Sequence, residues 1–346
     1  MDEIDRVKVN NQETEIVTAS TIEDLLPLPL QPLPKSYSLI NNEIVRHLPE
    51  LTAEEICRMK EGKPLKNPMF LYFRKMINAY YKVTALDPKQ LLTITSYDIS
   101  VLNAVCTIFK ANTDTQQPYF TPTMIYRALR GNNDVHPKPG ELQEIKDSIE
   151  KWREITIRID FSDYADKAGR EYKDGNIYGF ILPLGYAKEM QDKKGNIEKD
   201  VYFYDEEPPI WKFERNTTGR IVTFTDELKK IKYRDSETGK LKDCRMTKER
   251  IALLDEIIVT VGSISIAKHY RESKVNLDSI FDKMRIEPKS RAERALRDWV
   301  IDTVLPYYKA IGYIKDFEVY TNGFGKIEGV ILNPKSKLKT LSKRKK

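Results

Sequence analysis

Apolar residues recur at helical spacing in some stretches of this chain and alternate in others, and the order of those stretches repeats. Ile99, Leu102, Val105, Cys106 and Phe109 follow Thr95 or Ser96 at helical spacing, which predicts a capped helix. Thr121-Pro122 offers an N-cap with proline at the first helical position, and Gly131 offers a stop, so a short helix is expected between them. Pro139 opens a third helix whose apolar side is Leu142, Ile145, Ile149 and Trp152. Ile155, Ile157, Ile159 and Phe161 then alternate with polar residues and predict a half-buried strand. The polar stretch 162–176 reads as a hairpin tip and 177–184 as the return strand.

The second copy begins with a long helix from about Met246. A short helix follows over 277–284, led by Val275-Asn276, and Pro288-Lys289-Ser290 introduces a third. Strands are expected at 314–320 and 327–332, around the turn Asn322-Gly323-Phe324-Gly325. Pro306 lies within the third helical pattern and is expected to kink or end it. Both copies read helix, helix, helix, hairpin. That is the order of a winged helix, a helix-turn-helix variant that places one helix in a DNA groove.

The remaining stretches set the boundaries. Prolines at 27, 29, 32 and 34 remove donors and restrict their neighbours, so residues 1–68 read as a flexible, acidic, proline-rich leader. Within it Thr52 could cap a short helix ended by Gly62. Aromatic residues at 69–94 suggest a layer packed on the first domain. Residues 186–225 suggest a hairpin around Lys194-Gly195-Asn196 and further strands that extend the same sheet, and 231–245 an exposed turn between domains. The expected fold class is α+β: a first winged-helix domain over 69–230, a second over 231–334, and a basic tail over 335–346.

Charge changes the picture more than composition does. The net charge of +6 averages unlike regions: the tail carries seven bases and no acid, whereas residues 1–62 hold twelve acids and six bases. No apolar run reaches membrane-spanning length and no charged-then-apolar leader stands at Met1. Cys57, Cys106 and Cys244 form no CxxC pair, which fits a reduced cytoplasm.

Catalytic signatures are missing. His47, His136 and His269 form no close pair and no HExxH, and no GxxxxGK[ST] loop is present. His269-Tyr270-Arg271 lacks the spacing of a tyrosine recombinase, and Gly323-Phe324-Gly325 reads as a turn. Neither enzyme activity, nor a cofactor, nor a metal, nor a small-molecule substrate is expected.

The two third helices differ. Opposite its apolar side, the first carries Gln143, Glu144, Asp147, Glu150, Lys151 and Glu154, an acidic face that DNA phosphates would repel. Any DNA contact there would come from Arg127, Arg130 and Lys138, and the domain suits self-association better. In the second, Ala292, Leu296, Trp299, Val300 and Thr303 are expected to face the core. Arg291, Arg294 and Arg297 would lie on the other side, suited to guanine edges and phosphates. Lys289, Ser290, Lys326 and the tail residues Lys335, Lys337, Lys343 and Arg344 complete the expected DNA-binding set.

Three segments carry a family resemblance: Tyr97-Asp-Ile-Ser-Val-Leu-Asn-Ala-Val, Met124-Ile-Tyr-Arg-Ala-Leu-Arg-Gly, and Arg294-Ala-Leu-Arg-Asp-Trp-Val through Gly312-Tyr-Ile. Over roughly residues 90–333 the chain resembles the two-winged-helix replication initiators of iteron-containing plasmids, and uncharacterised relatives on mobile elements of Gram-positive bacteria. The resemblance implies a first winged helix for dimerisation and phosphate contact, and a second that reads double-stranded DNA in the major groove. A homodimer and host replication proteins are the implied partners. The long acidic leader and basic tail depart from the family. A transcriptional or copy-number repressor with the same contacts is the alternative, followed by a protein-docking partition or assembly adaptor.

Overall fold

The computed structural model describes residues 6–9, 12–15, 36–40, 70–74, 79–85, 93–115, 119–160, 176–191, 197–215, 221–234, 237–265, 273–288, 290–322 and 325–333, with positions 46, 58, 61 and 63. The proline segment at 26–34, most of the expected 52–62 helix, Lys289 and the basic tail lie outside the described residues. Two short strands, β1 (Arg6–Val9) and β2 (Gln12–Glu15), pair with each other near the N-terminus.

The fold is mixed helix and sheet, and the repeated order is visible in it. The first unit holds helix α1 (Ser96–Thr115), strand β6 (Tyr119–Phe120), α2 (Pro122–Arg130) and α3 (Pro139–Arg153). Its last hairpin is β9 (Leu184–Gln191) with β10 (Ile197–Tyr204). The second unit repeats this as α5 (Lys248–Ser265), β14 (Ser273–Asn276), α6 (Leu277–Lys283), α7 (Arg291–Trp299) with its continuation, β15 (Phe317–Thr321) and β16 (Ile327–Leu332). Each unit closes a three-stranded sheet in the same order: β6-β10-β9 and β14-β16-β15. In both, the strand before the second helix pairs with the last strand of the unit.

That pairing corrects the expected hairpin of the first unit. The 155–184 region does form a hairpin, β7 (Ile155–Asp160) with β8 (Asn176–Phe180). It joins β4 (Phe70–Arg74) and β5 (Ala79–Ala85) in a separate four-stranded sheet, order β4-β5-β7-β8. The hairpin that returns to β6 is the one around 192–196. Ile155, Ile157 and Ile159 point inward from β7 as the alternation predicts.

Local chemistry explains where the helices begin and end. At α1, the Thr95 backbone N–H donates to Asp98 Oδ2 at 2.7 Å, and the Asp98 N–H donates to Thr95 Oγ1 at 3.3 Å, a reciprocal cap. Thr121 Oγ1 accepts from the Met124 N–H with Pro122 in the first turn. Gly131 then ends α2 at φ 59°, and a Cβ there would lie 2.7 Å from the Asp226 carbonyl oxygen. Pro306 neither ends nor breaks the third helix of the second unit. A widened π turn, Val300–Val304, precedes it and passes into α8 (Leu305–Ala310), relieving the carbonyl that proline would otherwise crowd.

The two units share a packed junction. α1 lies against α5, and Ile99, Val101 and Leu102 belong to the same apolar cluster as Leu253, Leu254 and Ile258. Part of the expected flexible leader is built into this core. Strand β3 (Ser36–Ile40) pairs with β11 (Ile221–Thr225), and Tyr37, Leu39 and Ile40 are buried. Its open edge is satisfied by α1: the Ser38 N–H donates to Thr107 Oγ1 at 3.0 Å and the Ile40 N–H to Asn103 Oδ1 at 2.9 Å. After β11, a single 3-10 turn (Asp226–Lys229) leads to the ribbon β12 (Lys232–Arg234) and β13 (Leu241–Asp243). A short helix α4 (Pro209–Arg215) packs on β8.

Candidate nucleic-acid interface

The exposed cationic surface of the second unit is set by how α7 is mounted. The Asn276 side chain accepts from the Ser279 N–H at 3.0 Å and starts α6. A turn carries the chain to Ser290, whose Oγ accepts from the Glu293 N–H at 3.0 Å and starts α7. Arg291 and Arg294 are exposed on its first two turns, with Ala292 and Ala295 between and beside them. Leu296, Trp299 and Val300 are buried behind.

Arg297 does not share that surface. It is 5% exposed, and its Nη2 is ion-paired with both Asp278 of α6 and Glu293 one turn back. Nη1 donates to the Ile327 carbonyl at 2.7 Å, and the guanidinium lies 5.0 Å from the Phe281 ring centre. One side chain thus ties α7 to α6 and to the first residue of β16. Lys326 joins the same group, 3.3 Å from Asp278 and 3.5 Å from Glu293, but is about half exposed at the hairpin edge. The physical reason is angular: an i, i+3, i+6 series on a 3.6-residue helix drifts about 60° per step, so Arg297 stands about 120° from Arg291. Ala292 is corrected in the other direction, from expected core to exposed surface, and Thr303 is only partly buried.

Further along the open face of α7, Asp298 and Asp302 are exposed and Ile301 is half-buried. Positive charge is therefore confined to the helix start. The hairpin beside it is fixed closely: a Cβ on Gly329 would lie 2.1 Å from the Val275 carbonyl oxygen, so only glycine lets β16 approach β14 there.

The corresponding helix of the first unit is spent inside the chain. Glu144 pairs with Lys248 at the start of α5, at 2.7 Å. Glu150 pairs with Arg153 at 2.7 Å and accepts from Tyr202 Oη at 3.0 Å, while Lys146 meets Asp200 of β10 at 3.1 Å. Lys151 meets the buried Asp98, and Trp152 Nε1 donates to the Asp98 carbonyl at 2.7 Å. Gln143 and Asp147 remain exposed and bond each other at 2.7 Å.

Of the accessory cations, Arg130 is also structural. It pairs with Glu141 at 2.9 Å, donates to the Met246 carbonyl at 3.0 Å, and lies 4.1 Å over the Tyr126 ring. Burial pushes the Glu141 carboxyl up, but bonds from the Lys138 backbone and Tyr126, with Arg130 nearby, outweigh it and hold it below its ordinary range. Arg127 is partly buried and reaches the Val135 carbonyl at 3.5 Å. Lys138 is exposed at the start of α3.

Two features escaped the sequence reading. Trp299 Nε1 donates to Cys244 Sγ at 3.0 Å and Arg250 lies 5.0 Å over the Trp299 ring, so the end of β13 and the start of α5 brace α7. At the junction, Lys229 and Asp255 form a buried ion pair at 2.6 Å, with Lys229 Nζ 3.6 Å from the Tyr37 ring centre. Burial lowers the Lys229 pKa and raises that of Asp255, and their mutual attraction opposes both shifts. Local periodicity signals neither, because each joins residues far apart in sequence.

Among the described residues, no cluster of three or more His, Cys, Asp or Glu is placed to hold a metal ion, and no helix is long and apolar enough to cross a membrane.

Against known proteins, no family model matches this chain and no curated protein matches it. Solved structures do. The crystal structure of selenomethionine derivatives of domains 2 and 3 of RctB is 11% identical, with a TM-score of 0.41, over 92% of this chain and all of that one. A second crystal structure of RctB domains 2–3 is 14% identical, with the same TM-score, over 76% of this chain and 89% of that one. Likeness at this level carries no weight for function.

Proposed function

We propose that this chain is a sequence-specific double-stranded DNA-binding protein built from two winged-helix units, with α7 of the second as the reading helix. The observation that carries the reading is the mounting of α7. Its first two turns present Arg291 and Arg294 outward, while Arg297 fixes it to α6 and the first residue of β16, Trp299 is braced by Cys244 and Arg250, and Leu296 is buried. A helix that reads base edges must hold its side chains to a fraction of an ångström, and contact is made by its N-terminal residues. The acidic C-terminal half of the open face fits entry by the N-terminal end alone.

Replication initiation at an origin of a plasmid or other mobile element is the role we assign, on the resemblance of the three segments given above. The mechanism is non-enzymatic: binding at repeated sites would bend or destabilise adjacent duplex and recruit host replication proteins. Self-association belongs to the same reading. Tyr178, 72% exposed, and Phe180 stand out on β8, in a sheet separate from that of the second unit.

The test is selection of bound duplexes from a random pool by the full chain, followed by affinity measurement for Arg291→Ala and Arg294→Ala. Each substitution should cost about 1–3 kcal/mol on the selected site and relax preference at one position. Direct repeats as the natural target would support initiation, and a single inverted repeat at its own promoter would support repression. Unchanged affinity and preference in both variants would remove α7 as the reader.

A further inference from the structure

We propose that the β12–β13 ribbon is a second DNA-contacting element that grips phosphates beside the stretch read by α7. The proposal rests on the assignment of α7 as the reading helix and adds a site to it.

Three observations meet at the ribbon. The first is charge. The ribbon and its root, residues 232–245, hold five bases and three acids, and Lys232, Lys240 and Arg245 are exposed. The second is shape. The ribbon stands off the body: Tyr233 and Leu241 are exposed, and a Cβ on Gly239 at its turn would meet nothing within 4 Å. Gly239 adopts φ 64°, the conformation that lets two short strands reverse tightly. The ribbon thus holds out a leucine and a tyrosine among lysines. A sugar–phosphate backbone accepts both, since its sugars are apolar and its phosphates anionic.

The third observation is position. The Cys244 N–H donates to the Ile231 carbonyl at 3.0 Å and closes the ribbon's root. Cys244 Sγ in turn accepts from Trp299 of α7 at 3.0 Å. The root is thereby fixed to the helix that carries Arg291 and Arg294. On its other side the root walls two adjoining depressions, of about 300 and 650 Å³, which share Arg130 and Met246. Lys138 and His136 line the larger of the two from the first unit, together with Arg245. Cations from the α2–α3 loop and from the ribbon root therefore line these depressions, interleaved with Asp134, Asp243, Glu141, Glu144 and Glu249.

A phosphate grip and a base reader fail in different ways, which makes the assignment testable. Neutralised phosphates release counterions, with a salt slope of about 0.9 per contact, and carry no sequence information. The experiment compares the full chain with the triple variant Lys232→Gln, Lys240→Gln, Arg245→Gln, on the selected duplex and on a random duplex, across a salt series. A thermal melt of each protein checks that the variant is folded. The expected result is weaker binding to both duplexes by the same factor, an unchanged ratio between them, and a slope shallower by about 2–3. An unchanged slope with intact selective binding by the parent would overturn the proposal and leave the ribbon facing protein or solvent. Loss of discrimination without a change of slope would also overturn it, since the ribbon would then read bases. Absence of binding by the parent chain to either duplex would instead sink the α7 reading on which the ribbon depends.

Discussion

Helices α3 and α7 occupy the same place in the two repeats, each third in its unit and each followed by the strands of a hairpin. They differ in what they leave open. α3 is bordered on one side by β9–β10 and on the other by α1 and α5, and its Glu144, Lys146, Glu150 and Lys151 are matched to partners within the chain. α7 is held by α6, β16, the end of β13 and α5 through Arg297 and Trp299, and the two arginines at its start, Arg291 and Arg294, stay exposed. The sign of a helix face is thus a weaker guide to its role than the company it keeps. Glu144 looks like a deterrent to DNA in isolation, yet in place it serves as the counter-charge for Lys248.

The contrast can be broken most severely at Arg297. Arg297→Ala leaves Glu293 and Asp278 without their main counter-charge, and should cost about 3–5 kcal/mol in denaturant unfolding of the full chain. Arg294→Ala, three residues away, should change stability by less than about 0.5 kcal/mol. Equal effects from the two would mean that α7 has no inner and outer side. The next largest effect is expected where α5 and α6 meet. Burial pushes the Glu256 carboxyl up, but Arg46 and Lys283 outweigh that and hold it below its ordinary 4.5. A lowered acid contributes stability that is full above its unfolded value and is lost as pH falls through the folded one. Glu256→Gln should therefore lose about 1.5–3 kcal/mol at neutral pH and show a flatter stability curve below pH 4.5. A parent and variant that lose stability in parallel on acidification would argue against the pairing.

Smaller changes sharpen the comparison. In self-association, Tyr178→Ser with Phe180→Ser should shift the full chain towards monomer in sedimentation without altering sequence preference; a shift in preference would couple β8 to the reader. Least of all, Glu144→Lys should cost only about 0–1 kcal/mol, because its pair with Lys248 is half exposed. It should not create a new base preference. If it did, α3 would be an open reader whose charge alone had silenced it.

Much of this fold was legible in local pattern. Thr121-Pro122 with Gly131, Asn276, and Ser290 each mark a helix boundary because capping is a contest within four residues of chain. What failed was long-range. Two hairpins follow α3, both alternate, and nothing local says that Tyr202 and Phe203, rather than a residue of β8, pair with the strand at Tyr119–Phe120. Ser36–Ile40 reads as part of a proline-rich leader because the strand it joins begins at Ile221. Within the site, the pattern puts Arg291, Arg294 and Arg297 together on the open face, but only Arg291 and Arg294 lie there, because a three-residue spacing looks like a stripe on paper and precesses on a real helix. The expected contacts at Lys289 and in the tail lie outside the described residues.

The junction between the units would constrain any duplex held by both. The packing of α1 on α5, the Lys229–Asp255 pair and the bond from Tyr308 Oη to the Leu228 carbonyl, 3.1 Å, bind the two units at several points rather than one. Units joined by a loose tether could step to whatever spacing a sequence offered. Units welded in this way carry a fixed ruler. Any duplex touched by both would have to present its two contacted stretches at one rotational phase. Inserting about five base pairs between them, half of a 10–10.5 bp turn, would carry one stretch to the far side of the helix. Inserting a full turn would restore the facing side but stretch the span by about 34 Å, beyond what a welded junction can follow.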